Sequence, residues 1–237
     1  MPPVQLGDIT VDVIRKDIKN IHLSVYPPAG KVRISAPYRF DLDTIRVFAL
    51  SKLPWIKQQQ AKLRNQPREA PREYIDRETH FYQGQRYLLR VTEQEMKPGV
   101  RLHHKTIELS VRPGATIEKK QQVLEDWYRD QLKEEVRPII ARWEKRMGIT
   151  VQEFGVKKMR TKWGACNREA GRIWLNLALA KKPVQCLEYI VVHEMVHLFE
   201  RNHNARFMQH MDAFMPEWRL YREELNRLPV SHIDWAY

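Results

Sequence analysis

Apolar and polar residues alternate in two segments near the N-terminus, 20–26 and 31–35, separated by the turn-like sequence Pro-Pro-Ala-Gly. This period of two predicts two strands, and the short turn predicts that they form a hairpin. Four further short segments have β character, at residues 80–82, 86–92, 101–104 and 106–111. Between the two groups, apolar positions recur at helical spacing over residues 41–64, and Pro54 predicts a break in that helix.

After Pro113 and Gly114 the period of two gives way to a helical period. A long helix is expected over residues 117–147, ended by Gly148. Beyond it we expect strands over 151–158 and 172–177, joined by a loop, and then three helices separated by Pro183, Asn202 and Pro216. The predicted fold class is α+β, with an antiparallel β-rich region and a helix at 1–113 and a helical region with a small sheet at 114–237. These regions could form two domains or one continuous domain.

The sequence His-Glu-Met-Val-His at residues 193–197 has the H-E-x-x-H pattern. Histidines four residues apart project from one face of a helix, which lets two imidazoles reach one tetrahedral metal ion. The surrounding helix, expected over 184–201, is apolar around nearly its whole circumference and should be buried. Because buried polar groups need partners, a zinc ion bound by His193 and His197 is expected. Glu194 can then take a proton from zinc-bound water.

A third ligand follows from the residues after this helix. Asn202 predicts a turn that would bring His203 back toward the metal, whereas His210, Glu217 and Cys166 are the alternatives. We expect His203 to be the ligand. His210 is expected either to contact a ligand without binding the metal itself or to have a purely structural role. Three protein ligands leave the fourth position of a tetrahedral ion open, as catalytic zinc sites do. Three imidazoles would also bind nickel, cobalt or copper.

Several ordered segments together resemble the YgjP-like metallopeptidase domain family. They lie at residues 159–166, 173–176, 189–198, 202–207 and 215–216. The resemblance implies a zincin-like catalytic domain related to the SprT group, in which His203 followed by Phe207 is similar to the third-ligand segment. It also implies that the substrates of the family are poorly defined, since the family is named largely from its motif. Ala165 stands where Ser is common in the family and Met208 where Trp is common, and neither is an expected ligand.

Three further residues are candidates for the site. Arg160 and Lys162 could stabilise the oxyanion of a tetrahedral intermediate or bind a phosphate, or they could be ordinary surface cations. Met215 could form an apolar floor beneath the metal, or it could pack in the core.

The composition indicates a cellular compartment and a class of partner. The formal net charge of +12 permits binding to nucleic acid, although Glu residues alternate with many of the cations, as on a solvated helix. Two cysteines are too few for a disulfide framework, and neither a signal peptide nor a long uncharged apolar run is present. A soluble cytoplasmic protein with no membrane partner is therefore expected.

The chemistry favours a zinc-dependent metallopeptidase that cleaves a peptide or protein substrate through a water activated by Glu194. One alternative is a zinc-dependent hydrolase of a phosphoanhydride such as a nucleoside triphosphate. A second is a protease of the SprT type that nucleic acid recruits to its substrate, and a third is a nucleic-acid-binding domain with a structural zinc.

Overall fold

The computed structural model of the protein describes residues 3–26, 29–65, 71–159 and 162–229. The chain divides into two compact units, the first within Met1–Arg68 and the second within Glu69–His232. Among the helices of the described residues, none is long and apolar enough to cross a membrane.

The first unit contains a four-stranded sheet followed by two helices. Its elements are Val4–Leu6 (β1), Ile9–Lys16 (β2), His22–Tyr26 (β3), Lys31–Pro37 (β4), Leu42–Ser51 (α1) and Leu53–Asn65 (α2). The strand order is β1-β2-β4-β3. Asp41 caps α1 by accepting a hydrogen bond from the backbone N–H of Thr44 (2.7 Å). Alternate residues of the strands and the inner face of the helices, including Ile34, Ile45 and Ile56, are fully buried together.

The predicted hairpin is confirmed, because β3 and β4 pair antiparallel. The predicted helix break is also present, although α1 ends at Ser51 and Pro54 is the second residue of α2, where a missing N–H costs no helical hydrogen bond. The antiparallel arrangement predicted for this region holds for the outer pairs, whereas the central strands β2 and β4 run parallel.

The second unit begins with a sheet of the same design. Its strands are Thr79–Tyr82 (β5), Gln85–Glu93 (β6), Gly99–Leu102 (β7) and Thr106–Val111 (β8). Their order is β5-β6-β8-β7, with antiparallel outer pairs and a parallel central pair, and a capped helix follows as in the first unit. The sequence revealed no internal repeat, so this repeated topology is a finding of the structure.

The long helix predicted after this sheet is confirmed with its bounds, Ile117–Met147 (α3). Thr116 caps its start, and Gly148, with a positive φ of 66°, ends it in the left-handed conformation that glycine adopts without strain. Buried residues of α3, such as Leu132, share one hydrophobic core with Ile107 of β8 and Val191 further along the chain. The boundary between regions at residue 113 stays a prediction, and it falls inside the second unit.

The remaining elements carry the candidate site. They are Glu153–Lys157 (β9), Gly164–Asn167 (β10), Arg172–Asn176 (β11), a 3-10 turn at Leu177–Lys181, Val184–Val196 (α4), Ala205–Phe214 (α5) and Trp218–Arg227 (α6). In this third sheet β11 is central, with β9 parallel on one side and β10 antiparallel on the other. β10 was expected to be part of a loop. Three mixed sheets and six α-helices in the described residues confirm the α+β class.

Candidate metal centre

Three histidines from two segments converge at the C-terminal end of α4. His193 lies in the last turn of α4, His197 caps the helix, and His203 precedes α5. The Nε2 atom of His203 is 2.9 Å from Nε2 of His193 and 3.1 Å from Nε2 of His197. One ring nitrogen of each residue lies within 4.8 Å of the others, an arrangement able to hold a metal ion. The structure therefore brings together the three residues predicted as ligands.

The chain reverses after α4 sooner than predicted, because the helix ends at Val196 and not near Arg201. The carbonyl oxygen of Glu200 accepts a hydrogen bond from Nδ1 of His197 (3.0 Å), which orients that ring with Nε2 toward the other histidines. Asn204 then starts α5 by accepting a hydrogen bond from the backbone N–H of Phe207 (3.1 Å). The turn between these two bonds returns His203 to α4, as the interruption at Asn202 predicted.

The aromatic ring of Phe207 packs against all three imidazoles. Its centroid lies 4.9 Å from that of His193 and 4.7 Å from those of His197 and His203. The side chain is 1% exposed, so it is fixed by the core on its other side. A buried ring that contacts every candidate ligand limits their rotation and keeps their nitrogens convergent.

The three imidazoles fit a tetrahedral metal such as zinc. Nitrogens about 2.0–2.1 Å from a tetrahedral ion are about 3.3 Å apart, close to the separations observed here. Nitrogens facing one another without a cation between them repel through their lone pairs unless protons bridge them. Burial, then His197 and His203, lower the pKa of His193 to about 3, so its imidazole is neutral near pH 7, as a metal ligand must be. Nδ1 of His193 is buried and has no hydrogen-bond partner among the described residues.

Glu194 is buried beside the histidines, with 5% of its surface exposed. Burial raises the pKa of its carboxyl group to about 8, and the positive charge of Lys162 acts in the opposite direction. A divalent cation held by the histidines would also favour the ionised form. The carboxylate packs directly on the backbone of β10, since a Cβ atom added at Gly164 would lie 2.5 Å from its Oε1.

The histidines and Glu194 line an open cleft with a volume of about 1190 Å³. All four residues of β10 line it, and so does Lys162, one of the two cations that were candidates for a place beside the metal. Cys166 also faces the cleft, and burial raises the pKa of its thiol to about 11. Arg160, the other predicted cation, lies outside the described residues.

The other candidates occupy different surroundings. His210 stacks on Phe199 and Phe214, with ring centroids 5.0 and 6.1 Å away, and it does not join the histidine group. Met215 lies in the core and does not line the cleft, which favours the packing role over the floor. Glu217 and Cys166, the alternatives to His203, are likewise not part of the histidine group.

Two residues that line the cleft, Tyr189 of α4 and Arg222 of α6, were not singled out from the sequence as part of the site. Phe207 was indicated only as part of the third-ligand segment, and its contact with all three imidazoles was not predicted. Tyr189 precedes His193 by one helical turn, a spacing that could have indicated it. Nothing in the local sequence distinguishes Arg222 from other arginines of α6.

None of the curated proteins compared with the chain matches it significantly. Among models of protein families, that of the YgjP-like metallopeptidase domain matches residues 19–228, which include most of both units. This domain name agrees with a histidine group able to hold a metal ion. Because the match spans most of its length, the chain belongs to the YgjP-like metallopeptidase domain family.

Proposed function

We propose that the protein is a zinc-dependent metallopeptidase whose ligands are His193, His197 and His203 and whose general base is Glu194. The observation that carries the proposal is the convergence of three imidazole nitrogens next to a buried carboxylate in one cleft. Three nitrogen ligands are typical of catalytic zinc, which keeps a position for substrate or water. Structural zinc sites more often have four ligands rich in Cys.

In this proposal the residues around the metal have separate tasks. Zinc, when bound, supplies a Lewis acid that polarises a carbonyl group and makes water more acidic. A carboxylate oxygen of Glu194 accepts a proton from the attacking water and later donates it to the leaving nitrogen. Gly164 supports this carboxylate by direct backbone contact. Phe207 holds the imidazoles in place.

The edge of the third sheet offers a binding mode for an extended peptide. β10 pairs with β11 on one side, and no other strand of the described residues pairs with its outer edge. Since all of β10 lines the cleft, a peptide could add to this edge as a further strand and place its carbonyl groups near the histidines. Backbone hydrogen bonds of this kind bind any sequence and suit a peptidase.

The reaction class is tested by incubating the zinc-loaded protein with casein and, separately, with ATP. We expect new amino termini from casein, their loss on adding a chelator, and recovery on restoring zinc. Protein purified without an affinity tag is analysed in parallel for bound metals, with zinc expected at one ion per chain. Phosphate release from ATP without peptide hydrolysis would contradict the peptidase assignment and favour the second candidate.

That second candidate is a zinc-dependent phosphoanhydride hydrolase. It is favoured by the four cations that line the same cleft, Lys162, Arg168, Arg201 and Arg222. Cations arranged around a metal stabilise the charge that develops on a transferring phosphoryl group. The unpaired edge of β10 has no evident use in this chemistry, so the peptidase remains our proposal.

Gly164→Ala is expected to lower turnover about 100-fold, the order of effect that a small misplacement of a catalytic group produces. The new methyl group would overlap Oε1, Cγ and Cδ of Glu194, which lie 2.5–2.8 Å from its position, and the carboxylate must move. The histidines are not touched, so the zinc content is expected to stay at the wild-type level. Steady-state kinetics and elemental analysis of the same preparation measure both quantities.

Gly99→Ala is the matched control for this substitution. Gly99 is also in a strand, but a Cβ atom there meets nothing within 4 Å. Its turnover is expected to equal that of the wild type. Full activity in Gly164→Ala would show that catalysis does not depend on the contact between Glu194 and β10.

A further inference from the structure

Arg222 occupies a defined position in the cleft although it comes from the C-terminal helix α6. It lines the cleft together with the three histidines, Glu194 and β10. Its side chain is exposed, and its guanidinium carbon lies 5.9 Å from the ring centroid of Trp218. Within the part of the chain that the structure describes, the ion pairs do not include Arg222. The cation is therefore open to an anionic ligand.

A series of ring contacts fixes this position relative to the histidines. Trp218 is 3% exposed, and its Nε1 donates a hydrogen bond to Asp212 (2.8 Å). Its ring is stacked with that of Tyr189, with centroids 6.3 Å apart. Tyr189 in turn contacts His193 edge to face, at 5.9 Å. Since Trp218 and Tyr189 are both buried, the base from which Arg222 extends is rigid.

Positive charges outnumber negative ones around the cleft. Its lining contains Lys162, Arg168, Arg201 and Arg222, against the carboxylates of Glu169 and Glu194. Glu194 is buried against Gly164, so its carboxylate competes little with an anionic ligand for the cations. A cleft lined with cations attracts anionic ligands and raises their local concentration. Among these four cations, Arg222 is the one connected to the histidines through packed aromatic rings. It lies on α6 with Trp218, whose ring stacks on Tyr189, and the ring of Tyr189 contacts His193.

We propose that Arg222 is a specificity-determining residue that binds a carboxylate group of the substrate, so that the enzyme prefers peptides with Asp or Glu beside the scissile bond. A guanidinium group presents paired N–H donors that match the two oxygens of a carboxylate, and such charge-assisted bonds are strong. The flat ring of Trp218 supports the guanidinium group. This inference rests on the proposed peptidase function. A phosphate group shares the same oxyanion chemistry, and the experiment separates the two sources.

The test compares peptides copied from the casein bonds that the wild type cleaves, with either Glu or Gln at each flanking position. We expect the wild type to prefer Glu at one position. Arg222→Gln is expected to lower the Glu-to-Gln ratio of kcat/KM about 10- to 100-fold, mainly through KM, as loss of a hydrogen bond to a charged group implies. Arg222→Lys is expected to restore part of the ratio, because it keeps the charge and loses the paired geometry.

Arg219→Gln is the matched control. Arg219 is on the same helix and over the same Trp218 ring, at 4.5 Å, but it pairs with Asp212 and does not line the cleft. This variant is expected to keep the wild-type ratio. An equal ratio in the wild type and Arg222→Gln overturns the assignment of Arg222 and leaves the peptidase proposal intact.

A binding measurement keeps the two proposals separate. Zinc-loaded protein carrying Glu194→Gln is titrated by calorimetry with an acetylated tetrapeptide containing Glu, its Gln counterpart, and ATP. Tighter binding of the Glu peptide that Arg222→Gln removes supports the inference, even if the wild type hydrolyses no peptide and the proposed function fails. Binding of ATP alone that depends on Arg222 overturns the carboxylate assignment and identifies a phosphate as the anion.

Discussion

Glu194→Gln is expected to lower kcat by about a hundred- to ten-thousand-fold, the typical contribution of a general base, while zinc content and folding stay unchanged. The amide has nearly the shape of the carboxylate and keeps its contact with the Gly164 backbone, but it cannot accept the proton of the attacking water. The three imidazoles are untouched by this change. The variant therefore separates proton transfer from metal binding.

The measurement combines steady-state kinetics on a peptide that the wild type cleaves with elemental analysis and a thermal unfolding curve. The controls are the unchanged metal content and unfolding midpoint of the variant. If Glu194→Gln hydrolyses the peptide at the wild-type rate with its zinc in place, the proposed mechanism is wrong. The hydrolysis would then arise at another site or through another base.

The parts of the fold that depend on local pattern could be predicted from the sequence. The bounds of α3 follow from its helical period together with the capping residues Thr116 and Gly148. The hairpin of β3 and β4 follows from its alternation and short turn. Both features are encoded within a few residues, so a single sequence carries enough information to locate them.

Pairings between distant segments could not be predicted in this way. The parallel pairs β2 with β4 and β6 with β8 each skip an intervening strand, and alternation along a strand does not state its partner. β10 is four residues long and was expected to be a loop, because its pairing with β11 decides its structure. The shared design of the two four-stranded sheets is visible in their strand orders and not in their residues.

The candidate site, too, could be predicted only in part from the sequence. The spacing of His193, Glu194 and His197 in one helix placed them together, and the interruption at Asn202 indicated the return of His203. Gly164 and Arg222 come from β10 and α6, far from this motif along the chain, and only the tertiary structure brings them to it. Binding of nucleic acid, which the net charge of +12 permits, stays an alternative that the fold does not test.

His203→Ala is expected to remove most of the bound zinc and to abolish peptide hydrolysis. Its Nε2 atom is the one that lies within 3.1 Å of the corresponding atoms of both other histidines, so the remaining pair would have to hold the ion with two ligands. Loss of the metal also removes the stabilisation that binding gives to the folded state, and the thermal midpoint of the zinc-loaded protein is expected to fall. His203 is exposed, so its truncation leaves no cavity in the core, and the metal-free proteins should unfold at similar temperatures.

His210→Ala is the matched control, because His210 is a neighbouring histidine that stacks on Phe199 and Phe214 and lies outside the ligand group. Zinc titration of both apo proteins measures the difference, and a stoichiometric zinc content in His203→Ala would exclude His203 from the ligands.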